Sequence, residues 1–159
     1  MTNPAERVVS DIVKTLVLAA GPDRVWRALT DPDELVQWFP DEGADVDLKP
    51  GGEGAWVWAN HGRYAVRFEV VEPNRRLVWS WAREADTAFE DGMVTTVEFR
   101  LEPAGDGGTT LYLRESGFVN EEDRQGNDGG WDKELGELVT FLEIGTDVPN
   151  ANGPIKEEA

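Results

Sequence analysis

The sequence has 159 residues, with 15 Lys and Arg against 32 Asp and Glu, so its net charge is −17 at pH 7. A chain of about 150 residues is long enough for one domain with a sizeable core. The content of 40% hydrophobic residues, with seven Trp, excludes a disordered chain. The absence of Cys excludes disulfides and Cys-ligated metal centres, and the acidic balance argues against nucleic acid as a partner.

The chain has no segment typical of membrane insertion or secretion. No apolar run approaches the roughly 20 residues that a membrane-spanning helix needs. Residues 1–11 lack the basic-then-apolar pattern of a signal peptide. We therefore expect a cytoplasmic protein without membrane insertion. Residues 1–7 and 146–159 lack a periodic apolar pattern and are predicted to be flexible, which leaves residues 8–145 as a single domain.

The first predicted elements are one strand and two short helices. Residues 8–18 are rich in β-branched side chains, which favours a strand, and both of its faces are partly apolar. Pro22 suits the first turn of a helix, and apolar residues follow it at helical spacing. A second helix is predicted to begin at Asp31-Pro32, which has the pattern of a cap followed by Pro, and to end before Pro40.

From Ala44 to Phe118 the apolar residues recur with a period of two, which is typical of β-strands. A short strand around Val46 and Leu48 is followed by predicted strands at residues 53–60, 63–72, 75–83, 93–102 and 109–116. Gly- and Pro-rich turns separate these strands. The pattern therefore predicts an antiparallel meander.

The last predicted element is an amphipathic helix of about four turns. Trp131, Leu135, Leu138 and Leu142 recur at helical spacing, and Gly145 ends the pattern. Because this apolar stripe needs a surface to cover it, we expect the helix to pack against the sheet.

The patterns that would signal a metal or catalytic site are weak. Residues 123–134 have acidic or amide residues at several positions of a calcium loop, but Asp128 stands where that loop requires Gly, so a solvated loop is predicted. His61 lies in a predicted turn without a second His to complete a zinc site. No Ser lies in a nucleophile elbow. We predict no catalytic residue, no cofactor and no metal.

The order of the elements is that of an α+β helix-grip fold, and several motifs resemble one family. These motifs are residues 24–32 (RVWRALTDP), 38–39 (WF), 50–52 (PGG), 71–73 (VEP), 77–81 (LVWSW), 115–118 (ESGF) and 130–131 (GW). In this order, over residues 10–145, they resemble the family of activator of Hsp90 ATPase homolog 1-like proteins, within the START-like (Bet v 1-like) superfamily. The resemblance implies a curved antiparallel sheet wrapped around a long C-terminal helix, with a cavity between them that is often apolar.

Aromatic residues on neighbouring strands and on the last helix are candidates for lining that cavity, because their rings supply large rigid apolar surfaces and the indoles an N–H donor. The predicted ligand-binding set is Trp56, Trp58, Phe68, Trp79, Trp81, Phe99, Trp131, Leu135 and Leu138. Packing in the core is the alternative role for each of them. The last helix and the loop from Glu84 to Gly92 are predicted to gate the cavity.

Three functions are compatible with this pattern. The first is a binding module that holds an apolar or amphipathic small molecule between the sheet and the last helix. The second is a protein-interaction module related to Hsp90 co-chaperone activity, which would use the acidic surface to bind a chaperone or another protein. The third is a cyclase- or hydrolase-like enzyme of the superfamily, which requires a Tyr, Arg or Glu in the cavity with a shifted pKa. Strand residues that could project inward for this role are Tyr64, Arg67, Tyr112, Arg114 and Glu115.

Overall fold

The computed structural model describes residues 9–144, so the predicted flexible ends, residues 1–7 and 146–159, lie outside the described residues. The helices are α1 (Pro22–Thr30), α2 (Pro32–Trp38) and α3 (Glu121–Ile144). The strands are β1 (Ile12–Leu18), β2 (Gly43–Asp45), β3 (Glu53–Trp58), β4 (Gly62–Glu72), β5 (Arg76–Ala82), β6 (Val94–Pro103) and β7 (Thr109–Ser116). None of the helices in this part of the chain combines the length and the apolar character that a membrane crossing requires.

The strands form one seven-stranded antiparallel sheet in the order β1-β7-β6-β5-β4-β3-β2. From β2 to β7 each strand pairs with the next one along the chain, and β1 pairs with the last strand, β7. Pairing of β3 with β4, β4 with β5 and β6 with β7 follows from the short turns between them, because such turns join antiparallel neighbours. The predicted helix-grip α+β fold is confirmed.

Helices α1 and α2 form where their sequences carry start signals. Pro22 occupies the first turn of α1. The Asp31 side chain caps α2 by accepting a hydrogen bond of 2.9 Å from the backbone N–H of Asp33. The Trp38 indole then donates to the carbonyl of Ala28 at 2.8 Å and ties the two helices together.

One face of the sheet, called here the helix face, is covered by α3. The apolar stripe of that helix is buried, with Trp131 3%, Leu135 5%, Leu138 0% and Leu142 8% exposed. Lys14 of β1 reaches the helix from the sheet and forms ion pairs of 2.8 Å with two acidic residues of α3, Asp128 and Asp132. The C-terminal half of α3 therefore packs through leucines, whereas its N-terminal half carries polar contacts.

The pairing also decides which side of β1 faces the core. Ile12 and Leu18 are buried towards the helix face, whereas Val13 and Val17 are 58% and 69% exposed on the opposite, outer face. Both sides of this strand are apolar in sequence, so only its pairing with β7 decides the orientation.

Helix α3 begins at Glu121, ten residues before the predicted start at Trp131, so the loop predicted for residues 123–134 is wrong. The Asn120 side chain accepts a hydrogen bond of 2.7 Å from the N–H of Asp123, and the acidic first turn complements the helix dipole. Glycines at 126, 129 and 130 conceal the helix in the sequence because Gly lowers helix propensity. Tertiary contacts override that weakness.

The strand predicted around Val46 and Leu48 is misplaced, because β2 covers only Gly43–Asp45 and ends before both residues. The chain beyond it folds into a tight turn in which Gly52 donates to the carbonyl of Lys49 at 2.8 Å. A side chain at Gly52 would place its Cβ 2.0 Å from the carbonyl oxygen of Asp47, so the turn admits only glycine there.

Candidate functional site

A cavity of about 550 Å³ lies between the helix face of the sheet and the N-terminal half of α3, and is partly open to solvent. The residues that line it come from the α2–β2 connection, the ends of β3, β4 and β5, and α3. They are Phe39, Asp41, Trp58, Asn60, His61, Tyr64, Trp81, Arg83, Asp123, Gly126, Asn127, Gly130, Trp131, Lys133 and Glu134.

Five of these residues, Phe39, Trp58, Tyr64, Trp81 and Trp131, form a continuous aromatic wall. The Phe39 ring stacks on Trp131 at 5.3 Å between centroids and meets Trp58 edge-on at 5.2 Å. Trp81 joins the same surface, with its centroid 6.1 Å from Trp58 and 5.8 Å from Tyr64. Such contacts hold the rings in fixed positions, so the wall is preformed for an apolar or flat ligand.

Behind the wall lies a fully buried carboxylate, Glu115 of β7, with 0% exposure. Its Oε2 accepts hydrogen bonds from the Trp81 indole at 2.9 Å and from the Thr95 hydroxyl at 2.6 Å. Its Oε1 accepts hydrogen bonds from the Trp131 indole at 2.7 Å and from the Asn127 amide at 2.9 Å. Two indoles of the wall are thus fixed by one acid, which also links the sheet to α3.

Arg83 supplies the positive charge next to this carboxylate. Its Nη1 lies 3.8 Å from Glu115 Oε2, and its Nε and Nη2 donate to the two oxygens of Asp123 at 3.0 and 2.9 Å. Nη2 also donates to the Asn127 amide oxygen at 3.0 Å. The guanidinium lies over the Trp81 ring, 5.1 Å from its centroid. Arg83 is therefore fully engaged by protein groups.

Glu134 of α3 also lines the cavity, and its carboxyl has a raised pKa. Burial raises the pKa of its carboxyl to about 7, and the charges of Glu137 and Asp41 add to the rise. The Lys133 ammonium and the Trp58 side chain lower the pKa and only partly offset these effects. Glu134 consequently changes charge close to neutral pH.

Of the predicted ligand-binding residues, Trp58, Trp81 and Trp131 line the cavity. The others do not line it and pack in the core behind it: Trp56, Phe68, Trp79, Phe99, Leu135 and Leu138. Trp56 and Trp79, for example, contact each other edge-on at 5.2 Å and are 0% and 2% exposed. Alternation assigns the strand residues of this set to the helix face, but only Trp58 and Trp81, near the strand ends beside the N-terminal half of α3, reach the opening.

The charged residues of the site were absent from the predicted set, although the sequence contains a signal for them. Arg83 follows Trp81 by two positions, which continues the helix face of β5 beyond the end of the strand. Glu115 similarly alternates with Leu113 at an inward position of β7. Glu134 lies three residues after Trp131, on the same side of α3. A charged residue at an inward-facing position is therefore the sequence signal that indicates a polar group of the site.

The loop from Glu84 to Gly92 does not line the cavity that it was predicted to gate. It folds against the outer face of the sheet, where the N–H of Asp86 donates to the carbonyl of Arg63 at 2.7 Å. The Phe89 ring lies under the guanidinium of Arg67, at 4.4 Å. The other element of the predicted gate, α3, does line the cavity and contributes seven of the residues named above.

The strand residues considered for inward roles divide between the two faces. Tyr64 lines the cavity and Glu115 is buried behind it. Arg67 belongs to the outer face, and the exposed Arg114 pairs there with Asp11 at 2.8 Å. The Tyr112 hydroxyl donates to Glu102 at 3.4 Å on the same face.

The comparison with protein-family models identifies one family, and solved structures share the fold. The sequence model described as "Activator of Hsp90 ATPase homolog 1-like protein" matches residues 19–143. Protein MLL2253 from Mesorhizobium loti is 25% identical, with a TM-score of 0.74 over 85% of this chain and 98% of that one. CalU16 from Micromonospora echinospora is 30% identical, with a TM-score of 0.67 over 83% of this chain and 75% of that one.

A further structure supports the fold alone. The Aha1 dimer from Colwellia psychrerythraea is 23% identical, with a TM-score of 0.73 over 87% of this chain and 99% of that one. No curated protein sequence matches this chain.

Proposed function

The chain belongs to the activator of Hsp90 ATPase homolog 1-like family, and we propose that it is a binding module that holds an apolar or amphipathic small molecule between its sheet and α3. The observation that carries this proposal is the cavity of about 550 Å³ with its preformed aromatic wall. A cavity of roughly 300–1,000 Å³ is typical of small-molecule sites, in which apolar area provides affinity and a few polar groups set orientation.

The proposed mechanism is burial of the ligand's apolar part against the rings of Phe39, Trp58 and Trp131. Each Å² of apolar surface removed from water contributes about 25 cal/mol to binding, less the cost of immobilising the ligand. Because Glu115 already fixes Trp81 and Trp131, little of that cost falls on ordering the protein.

The test is native mass spectrometry of the protein purified from its own host, followed by extraction of what it retains. We expect a stoichiometric small molecule on the wild type, reduced several-fold in Trp58→Ala, because this change removes the central ring of the wall. Val17→Ala, on the exposed outer face, is the matched control and keeps the molecule. An empty wild-type protein, or equal retention in Trp58→Ala, contradicts the proposal.

A second candidate function is a protein-interaction module related to Hsp90 co-chaperone activity. The family description and the net charge of −17 favour it, because an acidic surface attracts a basic partner. Binding of this kind weakens with added salt and is indifferent to Trp58→Ala. A pull-down from host lysate at low salt that recovers no partner counts against it.

The third alternative, a cyclase- or hydrolase-like enzyme, is favoured by one group. A carboxyl with a pKa of about 7 in a cavity suits general acid–base work at neutral pH. The extracted molecule decides this alternative. The extracted molecule is incubated with each protein. If the wild type converts it and Glu134→Gln does not, the site is catalytic. If neither protein converts it, the site only binds.

A further inference from the structure

The charged groups around the cavity divide into two sets. Arg83 and Asp123 neutralise each other through two hydrogen bonds, with Glu115 behind them. Lys133 is 71% exposed and pairs with Glu137 at 3.2 Å. The two cations that line the cavity are therefore already matched by acids of the protein.

Two carboxylates at the cavity are not matched in this way. Within residues 9–144, neither Asp41 nor Glu134 has a basic group at ion-pair distance. Asp41 is held in place by the N–H of Ala59, which donates to its Oδ1 at 2.8 Å. The charges of Asp41 and Glu134 repel each other, and that repulsion contributes to the raised pKa of Glu134. This part of the site has an excess of negative charge.

The aromatic wall adds potential of the same sign. The faces of Trp, Tyr and Phe rings carry the negative part of the ring quadrupole and attract cations that approach within about 6 Å. Phe39 and Trp58 meet edge-to-face beside the two acids and line the same cavity as Trp81. A group that is both apolar and positively charged would satisfy the wall and the carboxylates together.

We propose that the ligand is an organic cation, a protonated amine or a quaternary ammonium on an apolar or aromatic body, with its charge between Glu134, Asp41 and the Trp58 ring. The inference rests on the proposed binding function and specifies its ligand class. An anionic ligand, such as a fatty acid, would place its carboxylate against two unmatched acids. A neutral ligand would leave those acids with only the exposed Lys133 ammonium, which pairs with Glu137, as a nearby counter-charge.

The same arrangement makes cation binding dependent on pH. The charged or titratable groups facing Glu134 are Lys133 and Glu137 on its own helix and Asp41 from the α2–β2 connection, and the rest of the cavity adds His61, Tyr64, Arg83 and Asp123. An ammonium binds the ionised form of Glu134 more tightly than the neutral form. Affinity for a permanent cation therefore rises as the pH passes upward through about 7.

The experiment compares three probes that share a naphthylmethyl body and differ in charge: the trimethylammonium, the alcohol and the carboxylate. Dissociation constants are measured on the wild-type protein by isothermal titration calorimetry. We expect the ammonium to bind about tenfold more tightly than the alcohol, which corresponds to one cation–π contact together with one partly exposed ion pair. The carboxylate should bind more weakly than the alcohol.

Three variants locate the effect. Glu134→Gln should lower the ammonium affinity several-fold, because the ion pair is lost while the cation–π contact remains, and should abolish its dependence on pH; the affinity for the alcohol should change much less. Glu122→Gln removes the same charge from an exposed position of α3 outside the cavity, and should keep the preference. His61→Gln should keep the pH dependence, which assigns the titration to Glu134.

The outcomes separate this inference from the proposed function. If no probe binds, the small-molecule function itself is wrong. If the alcohol or the carboxylate binds as tightly as the ammonium, the cavity binds small molecules and the cationic class is wrong. If Glu122→Gln weakens ammonium binding as much as Glu134→Gln does, the preference arises from the overall acidic charge, and the assignment to Glu134 is overturned.

Discussion

At the level of single residues, Glu115 fixes two of the five rings of the aromatic wall, those of Trp81 and Trp131. Its two oxygens accept hydrogen bonds from Trp81, Thr95, Trp131 and Asn127. Each oxygen accepts from one indole, which can only donate, so an amide in its place would set its NH₂ group against an indole N–H whichever way it turned. The geometry therefore requires a carboxylate at this position.

We expect Glu115→Gln to lower the free energy of unfolding by about 3 kcal/mol, because the change removes the buried negative charge beside Arg83 and leaves one indole N–H without an acceptor. Urea denaturation measures the loss. Glu102→Gln, which removes a carboxylate that is 53% exposed on β6, is the control and should change stability by less than about 0.5 kcal/mol. Equal effects would mean that Glu115 contributes no more than a surface acid.

Glu134 makes a second, pH-dependent contribution. The folded protein raises the pKa of this carboxyl from 4.5 to about 7, so between these values the folded state holds a proton that the unfolded state has lost. Its contribution to stability is therefore complete below pH 4.5 and is lost as the pH rises through about 7.

Glu134→Gln should accordingly be more stable than the wild type at about pH 8.5, and the difference should shrink towards about pH 5. We expect a change of about 1 kcal/mol between the two conditions, after allowance for solvent screening of a partly exposed group. Thermal unfolding of both proteins across this range measures it. A difference in stability that is constant with pH would show that the folded state does not raise the pKa of Glu134.

At the level of elements, α3 is a helix whose two halves have different sources of stability. Leu135, Leu138 and Leu142 pack the C-terminal half into the core. The N-terminal half contains Gly126, Gly129 and Gly130 and depends on its cap and on polar contacts with β1, β5 and β7. Apolar periodicity predicts the C-terminal half, because its buried leucines recur at helical spacing. It does not predict the N-terminal half, because ion pairs with distant strands leave no local pattern in the sequence.

Gly129→Ala should raise the free energy of unfolding by about 1 kcal/mol, the usual difference in helix propensity between the two residues. A Cβ at Gly129 meets nothing within 4 Å, so no clash opposes the gain. Urea denaturation measures the change. Gly52→Ala should instead lower the free energy of unfolding, because its Cβ would lie 2.0 Å from the carbonyl oxygen of Asp47. If Gly129→Ala is not stabilising, the N-terminal half of α3 is not helical in solution.

At the level of the whole molecule, the fold is more accessible from sequence than the site. The period-two pattern and the turns predict the sheet, because alternation records which face of each strand is buried. The same alternation places Trp56, Trp79 and Trp81 on one face without saying which of them reaches the opening. That distinction depends on where α3 crosses the sheet.

The net charge of −17 is also a property of the whole molecule. Repulsion among like charges opposes the compact state, and salt screens it. We expect the melting temperature to rise by about 3 °C, or roughly 1 kcal/mol at this chain length, between about 20 and about 300 mM NaCl. The measurement is calorimetry over a salt series. A melting temperature that falls with salt would mean that the ion pairs outweigh the repulsion.

The shared carboxylate behind the wall has a consequence for the divergence of this protein from its relatives. Glu115 accepts the indole N–H groups of both Trp81 and Trp131, so replacing Glu115 alone leaves two buried donors without an acceptor, and replacing either Trp alone removes one of the four donors that hold the carboxylate. These three residues should change together or persist. Phe39 and Trp58 form no hydrogen bond with Glu115. We therefore expect relatives with different ligands to differ at these two positions more often than at Trp81 and Trp131.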